Sequence, residues 1–385
     1  MKLGLALSGG GFRATVYHLG VLARLAREER LEDATYLSTV SGGSLCVGLV
    51  YALNGFRWPS SQAYLEAVVP QARQHLLHDD FTRGLLWRLL RRPWGILGSK
   101  AGDLSALMSQ RWGVSVALRD LPEQPRWMIN ATCYETGKNW RFERFRMGDY
   151  VFGYSYDTDV PLSDALAASA GFPGLIGPLV LDTARHSWFR YRQPARGEPE
   201  ADADQQDAPG KTEPVTPAFG QVHLWDGGVY DNHGLEGVHD FQGGWRQGVD
   251  FLIVSDGSGK PTSEKYRLGG VFLRIITGVM MDQIRSLRAR AIMERIKNHG
   301  DQGVILTIGN SCAEVVQAAG RQAELMALCR SCLSAEDATR AALFPTTIRR
   351  LTDAEFELLF RHGYEVADYT LHSRYPDQFE HVAYA

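Results

Sequence analysis

Within its first fifty residues the chain twice runs an apolar strand into a cluster of glycines and on into a helix. No other feature constrains the fold as much. Leu3 to Leu7 reads as a strand, Gly9-Gly10-Gly11 as the turn after it, and Ala14 to Arg30 as a helix with Leu19, Leu22, Leu25 and Ala26 on one face. Tyr36 to Val40 is the second strand. It meets Ser41-Gly42-Gly43 and then a buried helix from Ser44 to Leu53, stopped at Asn54-Gly55. Strands and helices in alternation, joined by short glycine turns, specify a mainly parallel central sheet covered by helices on both faces, a three-layer α/β/α fold. A chain of 385 residues accommodates one large α/β unit with insertions.

Helical segments run from Ser61 to Trp112, interrupted by Pro70 and Pro93, and suggest a helical cap over about 56–120. Arg126 to Tyr134 and Asn139 to Arg146 read as strands joined by Glu135-Thr136-Gly137-Lys138, a turn with glycine where positive φ is wanted. The stretch from about 190 to 219 changes in composition: five of sixteen prolines fall between Pro194 and Pro217, and Glu198 to Asp207 has five acids and no base. A flexible surface insertion is expected there. Gln221 to Trp225, Asp250 to Ser255 and Gly303 to Ile308 read as further strands, and Val271 to His299 as one long helix. Thr352 and Glu355 form a capping box ahead of a closing helix, Phe356 to Leu371.

Composition narrows the class of partner. With 41 Lys+Arg against 44 Asp+Glu the net charge is −3, so no global basic field collects phosphates, and nucleic acid is not expected. Five cysteines, an odd number, argue against a disulfide framework and for a reducing compartment. The apolar run at the N-terminus is too short for a signal-peptide core. The most apolar stretch, Ala165 to Leu181, is broken by Pro173, Pro178 and glycines, so no spanning helix is expected. These features predict a soluble, cytoplasmic protein. Cys329 and Cys332 have metal-like spacing but no second pair, and ordinary helix thiols are expected.

Chemistry concentrates at three glycine-bordered sites. Ser41 lies where a β-branched strand meets Gly42-Gly43, a place where a sharp elbow presents a nucleophilic hydroxyl and the helix N-terminus supplies amides to an oxyanion. Thr39 stands where the usual G-x-S-x-G pattern has its first glycine. A helix-capping serine is the bland alternative. Ser8 to Arg13 forms the second site, its unobstructed amides suited to an anion or oxyanion. Gly9, Gly11 and Ala14 also fit a dinucleotide fingerprint, yet the second strand ends in Val40-Ser41 and not in the acid that would hold a ribose. No P-loop pattern occurs. The third is Asp226-Gly227-Gly228, an acid at a strand end that is either a turn residue or a proton acceptor.

Together these residues resemble the patatin-like phospholipases. Gly9-Gly10-Gly11-Phe12-Arg13 matches the family's G-G-G-x-R loop, Ser41 sits in its nucleophile turn, and Asp226-Gly227-Gly228 matches its D-G-G motif. Fainter echoes are Ala131-Thr132, Ala168-Ser169-Ala170 and Gly363-Tyr364. The resemblance implies a patatin-like α/β fold and a Ser41/Asp226 dyad that cleaves acyl esters of phospholipids through an acyl-enzyme. The amides of Gly9, Gly10, Gly11 and Gly42 would form the oxyanion hole, with no metal or cofactor. Arg13 would orient the loop, meet a lipid phosphate or form a plain structural ion pair. Since Ser41 and Asp226 are 226 − 41 = 185 residues apart and must meet, one domain over 1–385 is expected.

Two rivals remain. An α/β-hydrolase-type carboxylesterase would use a late histidine, with His299, His362, His372 and His381 available, and His18 and His233 nearer the motifs. A silent anion- or nucleotide-binding regulator would use the glycine loops without turnover. The segment Phe81 to Trp94 carries four arginines and no acid among tryptophans and leucines. It suits peripheral membrane contact through Phe81, Trp87, Arg88, Arg91, Arg92 and Trp94. Patatin-like members include enzymes switched on by a small molecule or protein, and the arginine-rich Asp282 to Lys297 is expected to be either a solvated surface or, as the alternative, a site for a phosphorylated activator.

Overall fold

The computed structural model describes residues 1–91, 100–191, 212–240, 243–260, 270–271 and 274–384. Arg92, Trp94 and most of the expected acidic insertion lie outside these residues. The chain opens with β1 (Leu3–Leu7), α1 (Gly11–Ala26), β2 (Ala34–Val40) and α2 (Gly42–Leu53). A helical stretch containing α3 (Val69–His78), α4 (Phe81–Arg91) and α5 (Ala101–Trp112) leads to β3 (Arg126–Cys133). Then come β4 (Asn139–Phe142), β5 (Met147–Asp149), β6 (Gly153–Ser155), α6 (Leu162–Ser169), β7 (Leu179–Asp182), β8 (Trp188–Tyr191), β9 (Thr212–Val215) and β10 (Gln221–Asp226). The C-terminal third supplies β11 (Phe251–Asp256), α7 (Met281–Asn298), β12 (Gln302–Thr307) and α8 (Asp353–Arg374).

These strands join in one sheet in the order β12-β11-β1-β2-β3-β4-β5-β6-β8-β9, with β10 attached to β3 and β7. The five strands from β12 to β3 pair in parallel, as the opening rhythm requires. Beyond β3 the chain meanders through antiparallel pairs, because turns such as the one at Gly137, with φ 66°, return it directly without a helical crossover. Every residue of β1 and β11 is buried, the pattern of strands covered on both faces.

All of α1 is buried. Its tightest neighbour is α8, where an added Cβ at Gly20 would overlap the Phe360 carbonyl and one at Gly363 would overlap the Tyr17 carbonyl. Glycine at both crossing points lets the two backbones touch. The buried Arg24 joins the same helices, its guanidinium 2.7 Å from both Asp368 and Glu28.

Two helical expectations change. Pro70 does not interrupt its helix: Ser61–Ala63, a π-helical stretch Tyr64–Val68 and α3 run on without a break, with Pro70 where the π-helical stretch passes into α3. The long helix foreseen from Val271 becomes regular only at Met281, after a π-helical stretch Arg274–Met280.

Candidate active site

The register along β3 explains how residues so far apart in sequence come together. β2 stops with Val40 opposite Asn130. β10 runs the other way along β3 and ends with Asp226 opposite Ala131. The two strands meet end to end on consecutive positions of β3, which joins Ser41 to Asp226. The acid comes from an antiparallel strand arriving at the edge where the parallel strand β2 ends.

Ser41 has φ 48° and ψ −114°, a conformation that is strained for a residue with a Cβ by on the order of 1–3 kcal/mol. Its surroundings enforce the turn. The Ser41 amide donates to Ser169 Oγ at 2.9 Å, the Ser41 carbonyl accepts from Leu45 N at 2.9 Å, and Gly43 N donates to Ser8 O at 3.0 Å. A Cβ on Gly43 would overlap the Leu7 carbonyl, so only glycine lets the elbow press against the first glycine loop. Thr39 is fully buried, with its hydroxyl 2.8 Å from Ser44 Oγ and accepting from Trp127 Nε1 at 2.9 Å. Those partners give threonine a specific place where glycine is usual.

Asp226 is 2% exposed. Burial raises its pKa to about 6, against the opposing hydrogen bonds from the Gly228 amide and the Ser41 hydroxyl. The Gly228 bond to Oδ1 is 2.8 Å long, and Thr132 Oγ1 donates to the Asp226 carbonyl at 2.8 Å. A carboxyl set this way is ionised near neutral pH yet basic enough to take a proton.

The glycine loop divides into two kinds of amide. Gly9 N donates to Asn232 O at 3.1 Å, so it is not available to an oxyanion, contrary to the expectation from sequence. Among the described residues the amides of Gly10, Gly11 and Gly42 have no acceptor. Gly10 and Gly11, at φ 145° and 59°, line the same cavity as Ser41 and Asp226. That cavity encloses about 180 Å³, and Leu45, Phe172, Leu175, Ile176 and Ile348 form its apolar wall.

Arg13 is engaged by backbone carbonyls of the neighbouring loops. Its Nε donates to Gly257 O at 3.1 Å, and its two terminal nitrogens donate to the Phe344 and Ser258 carbonyls. Burial brings its pKa down to about 10, with Asp256 opposing the change. A 6% exposed guanidinium holding three carbonyls braces the loops around the cavity and is not presented as a phosphate ligand.

No histidine lines the cavity among the described residues. His18 is fixed between Ser255 Oγ at 2.7 Å and Ser8 O at 2.9 Å, and burial lowers its pKa to about 4. His233 Nε2 lies 3.3 Å from Asp256. Of the late histidines, His299 faces Glu294, His362 accepts from Gly309 N, His372 lies against Phe379 O and His381 contacts Asp368.

The basic segment is split by the fold. Phe81 is fully buried and packs on Phe12 and Trp112, which removes it from any membrane contact. Arg88 contacts Asp103 at 3.2 Å. Leu86 and Trp87 are more than half exposed. The side chain of Arg91 lies outside the described set. Cys329 Sγ stands 2.7 Å from Cys312 Sγ, but no group of His, Cys, Asp or Glu suited to a metal ion occurs among the described residues.

Two contributors escaped the sequence. Ser169 Oγ receives the Ser41 amide, lies 2.8 Å from Ser44 Oγ and donates to Asn130 O at 2.7 Å. Asn232 accepts the Gly9 amide, and its Nδ2 donates to Ser258 Oγ at 2.7 Å. Only the faint Ala168-Ser169-Ala170 echo pointed to the first. The second had no signal.

No curated protein matches the sequence significantly. The structure resembles human GIVD cytosolic phospholipase A2, with a TM-score of 0.54, 14% identity, and coverage of 98% of this chain and 62% of that one. The same enzyme in complex with methyl γ-linolenyl fluorophosphonate and terbium chloride gives a TM-score of 0.54 at 14% identity, covering 98% of this chain and 58% of that one. At such identity the likeness concerns the fold, and the chain spans about three-fifths of that enzyme's length. A family model described as patatin-like phospholipase matches residues 5–239. The chain belongs to the patatin-like phospholipase family.

Proposed function

We propose that the protein is a lipid acyl hydrolase of phospholipase A type, in which Ser41 is the nucleophile and Asp226 the single proton-transfer group. The observation that carries this reading is the meeting of a strained, cavity-lining serine with a buried carboxyl whose pKa is raised to about 6. Ser41 Oγ attacks the ester carbonyl and gives its proton to Asp226. The amides of Gly10, Gly11 and Gly42 receive the oxyanion. Collapse expels the alcohol, which takes the proton back, and leaves Ser41 acylated. Water then gives a proton to Asp226 and attacks the acyl carbonyl, and collapse of the adduct breaks the Ser41 ester, returns the proton from Asp226 to Ser41 Oγ and releases the fatty acid.

The apolar wall from Leu45 to Ile348 supports an acyl chain as the group held beside Ser41. The fluorophosphonate carrying a linolenyl chain in the human relative is consistent with the same chemistry. The absence of histidine from the described cavity lining disfavours a Ser-Asp-His esterase. We place the enzyme in the cytoplasm, in keeping with five free cysteines, and in peripheral contact with a membrane through the exposed Leu86 and Trp87.

The test is hydrolysis of a phospholipid panel by wild type and Ser41→Ala, with products identified by mass. Fatty acid and lysophospholipid are expected from wild type alone. Equal release by both proteins, or none by wild type, would overturn the assignment.

A further inference from the structure

Beside the nucleophile's cavity lies a second cavity of about 310 Å³, which shares Arg13, Ser258, Met281 and Thr346 with it. The two differ in character. The first is walled by aliphatic and aromatic side chains, whereas the ionisable residues around the second are Arg13, Lys260, Arg274, Arg285 and the single acid Asp282. Asp282 is taken up by Arg285, 2.7 Å away, and Asp256 lies 3.6 Å behind the same guanidinium. Arg13 is held by three carbonyls. The Lys260 ammonium makes no hydrogen bond or ion pair with a described residue and is exposed.

Missing β-carbons shape the walls. A Cβ on Gly278 would fall 2.6 Å from Arg274 Nη1, and one on Gly259 would fall 2.8 Å from Arg13 Cζ. Glycine at both positions lets guanidinium groups lie directly on the backbone at the wall of the second cavity.

We propose that this second cavity is a phosphate subsite, with Lys260 and Arg274 holding the head-group phosphate of the lipid whose acyl ester lies at Ser41. An apolar chamber joined to a cationic one matches the two halves of a phospholipid. Guanidinium and ammonium groups are strong phosphate donors. The proposal rests on the lipid-hydrolase reading for its substrate, but phosphate binding is measurable without turnover.

Two arms separate the possibilities. In the first, Ser41→Ala protein is titrated calorimetrically with sn-glycerol 3-phosphate and with inorganic phosphate, with and without Lys260→Glu. In the second, mixed micelles of phosphatidylglycerol or of diacylglycerol with the same acyl chains are hydrolysed by wild type, by Lys260→Glu and by Lys260→Glu/Arg274→Gln.

The expected result is glycerol phosphate binding weakened at least tenfold by Lys260→Glu. The ratio of kcat/KM for phosphatidylglycerol over diacylglycerol should fall at least tenfold, mainly through KM. Because Lys260 is exposed, its single variant reads the site without a folding defect. Phosphate binding that depends on Lys260 with an unchanged lipid ratio would transfer the pocket to free phosphate and overturn the head-group assignment. No binding of either probe together with an unchanged ratio would overturn the subsite altogether. If wild type hydrolyses neither lipid but still binds glycerol phosphate through Lys260, the hydrolase reading fails and the phosphate site stands.

Discussion

Replacing Asp226 by Asn should make the protein more stable and nearly inactive at once. The buried carboxyl has its pKa raised from 3.8 to about 6. A raised carboxyl contributes stability at low pH that is lost as pH rises through the folded-state value. At pH 7 the native state therefore holds an ionised group at a disadvantage of about 3 kcal/mol, taking 1.36 kcal/mol per decade. Asn keeps the oxygen that accepts from Gly228 N and carries no charge, so Asp226→Asn should gain up to about 3 kcal/mol in urea unfolding at pH 7. The gain should shrink to about half that at pH 5 and vanish below about pH 3, where the wild-type carboxyl is already neutral in both states. Turnover should fall by about 10²–10⁴-fold, the usual loss when a proton-transfer group is removed. In wild type, log kcat/KM should decline with unit slope below about pH 6. A variant less stable than wild type at pH 7, a pH-independent stability difference, or retained turnover would each refute the assignment of Asp226 as a desolvated base.

Ser169→Ala should leave the Ser41 amide and the Asn130 carbonyl without their partner. A loss of about 2–3 kcal/mol in chemical denaturation is expected from two buried unsatisfied groups, with a fall in kcat larger than any rise in KM, because the elbow loses its brace. Ser169→Thr, which keeps the hydroxyl, should restore most of the rate, and a kcat unchanged in Ser169→Ala would exclude this positioning role. Glu143 is buried, and despite that burial the guanidiniums of Arg146 and Arg126 hold its pKa down at about 2. With Arg126 at 2.7 Å and Arg146 at 3.1 Å, it should contribute on the order of 3 kcal/mol above pH 4.5. That contribution should disappear as pH falls toward 2, so the stabilities of wild type and Glu143→Gln should converge on acidification. Parallel acid-unfolding curves would count against it.

Much of the fold was legible because strong local signals agreed with one another. The run Leu3–Leu7, the glycines behind it and the β-branched approach to Ser41 all specify strand, turn and helix without reference to distant residues. The same local chemistry marked Ser41 and Asp226. What sequence did not reveal depends on tertiary register. The direction of β10 follows from its pairing with β3, and no periodicity within Gln221–Asp226 encodes it. Gly9 was misassigned, and the role of Arg13 left open, for a related reason: their donors are taken by Phe344, Ser258, Gly257 and Asn232, which lie more than 200 residues away. Phe81 belonged to a basic, aromatic segment by composition, yet its ring completes a cluster with Phe12 and Trp112. A composition window does not tell which side of a helix faces the core.

The central claim is that Ser41 becomes acylated with Asp226 as its partner. Treating wild type, Ser41→Ala and Asp226→Asn with a long-chain alkyl fluorophosphonate, followed by intact-mass measurement and peptide mapping, tests it most directly. One adduct per chain on the Ser41 peptide of wild type is predicted, with none on Ser41→Ala and labelling at least a hundredfold slower on Asp226→Asn. An adduct on another residue, labelling of Ser41→Ala, or undiminished labelling of Asp226→Asn would contradict the dyad.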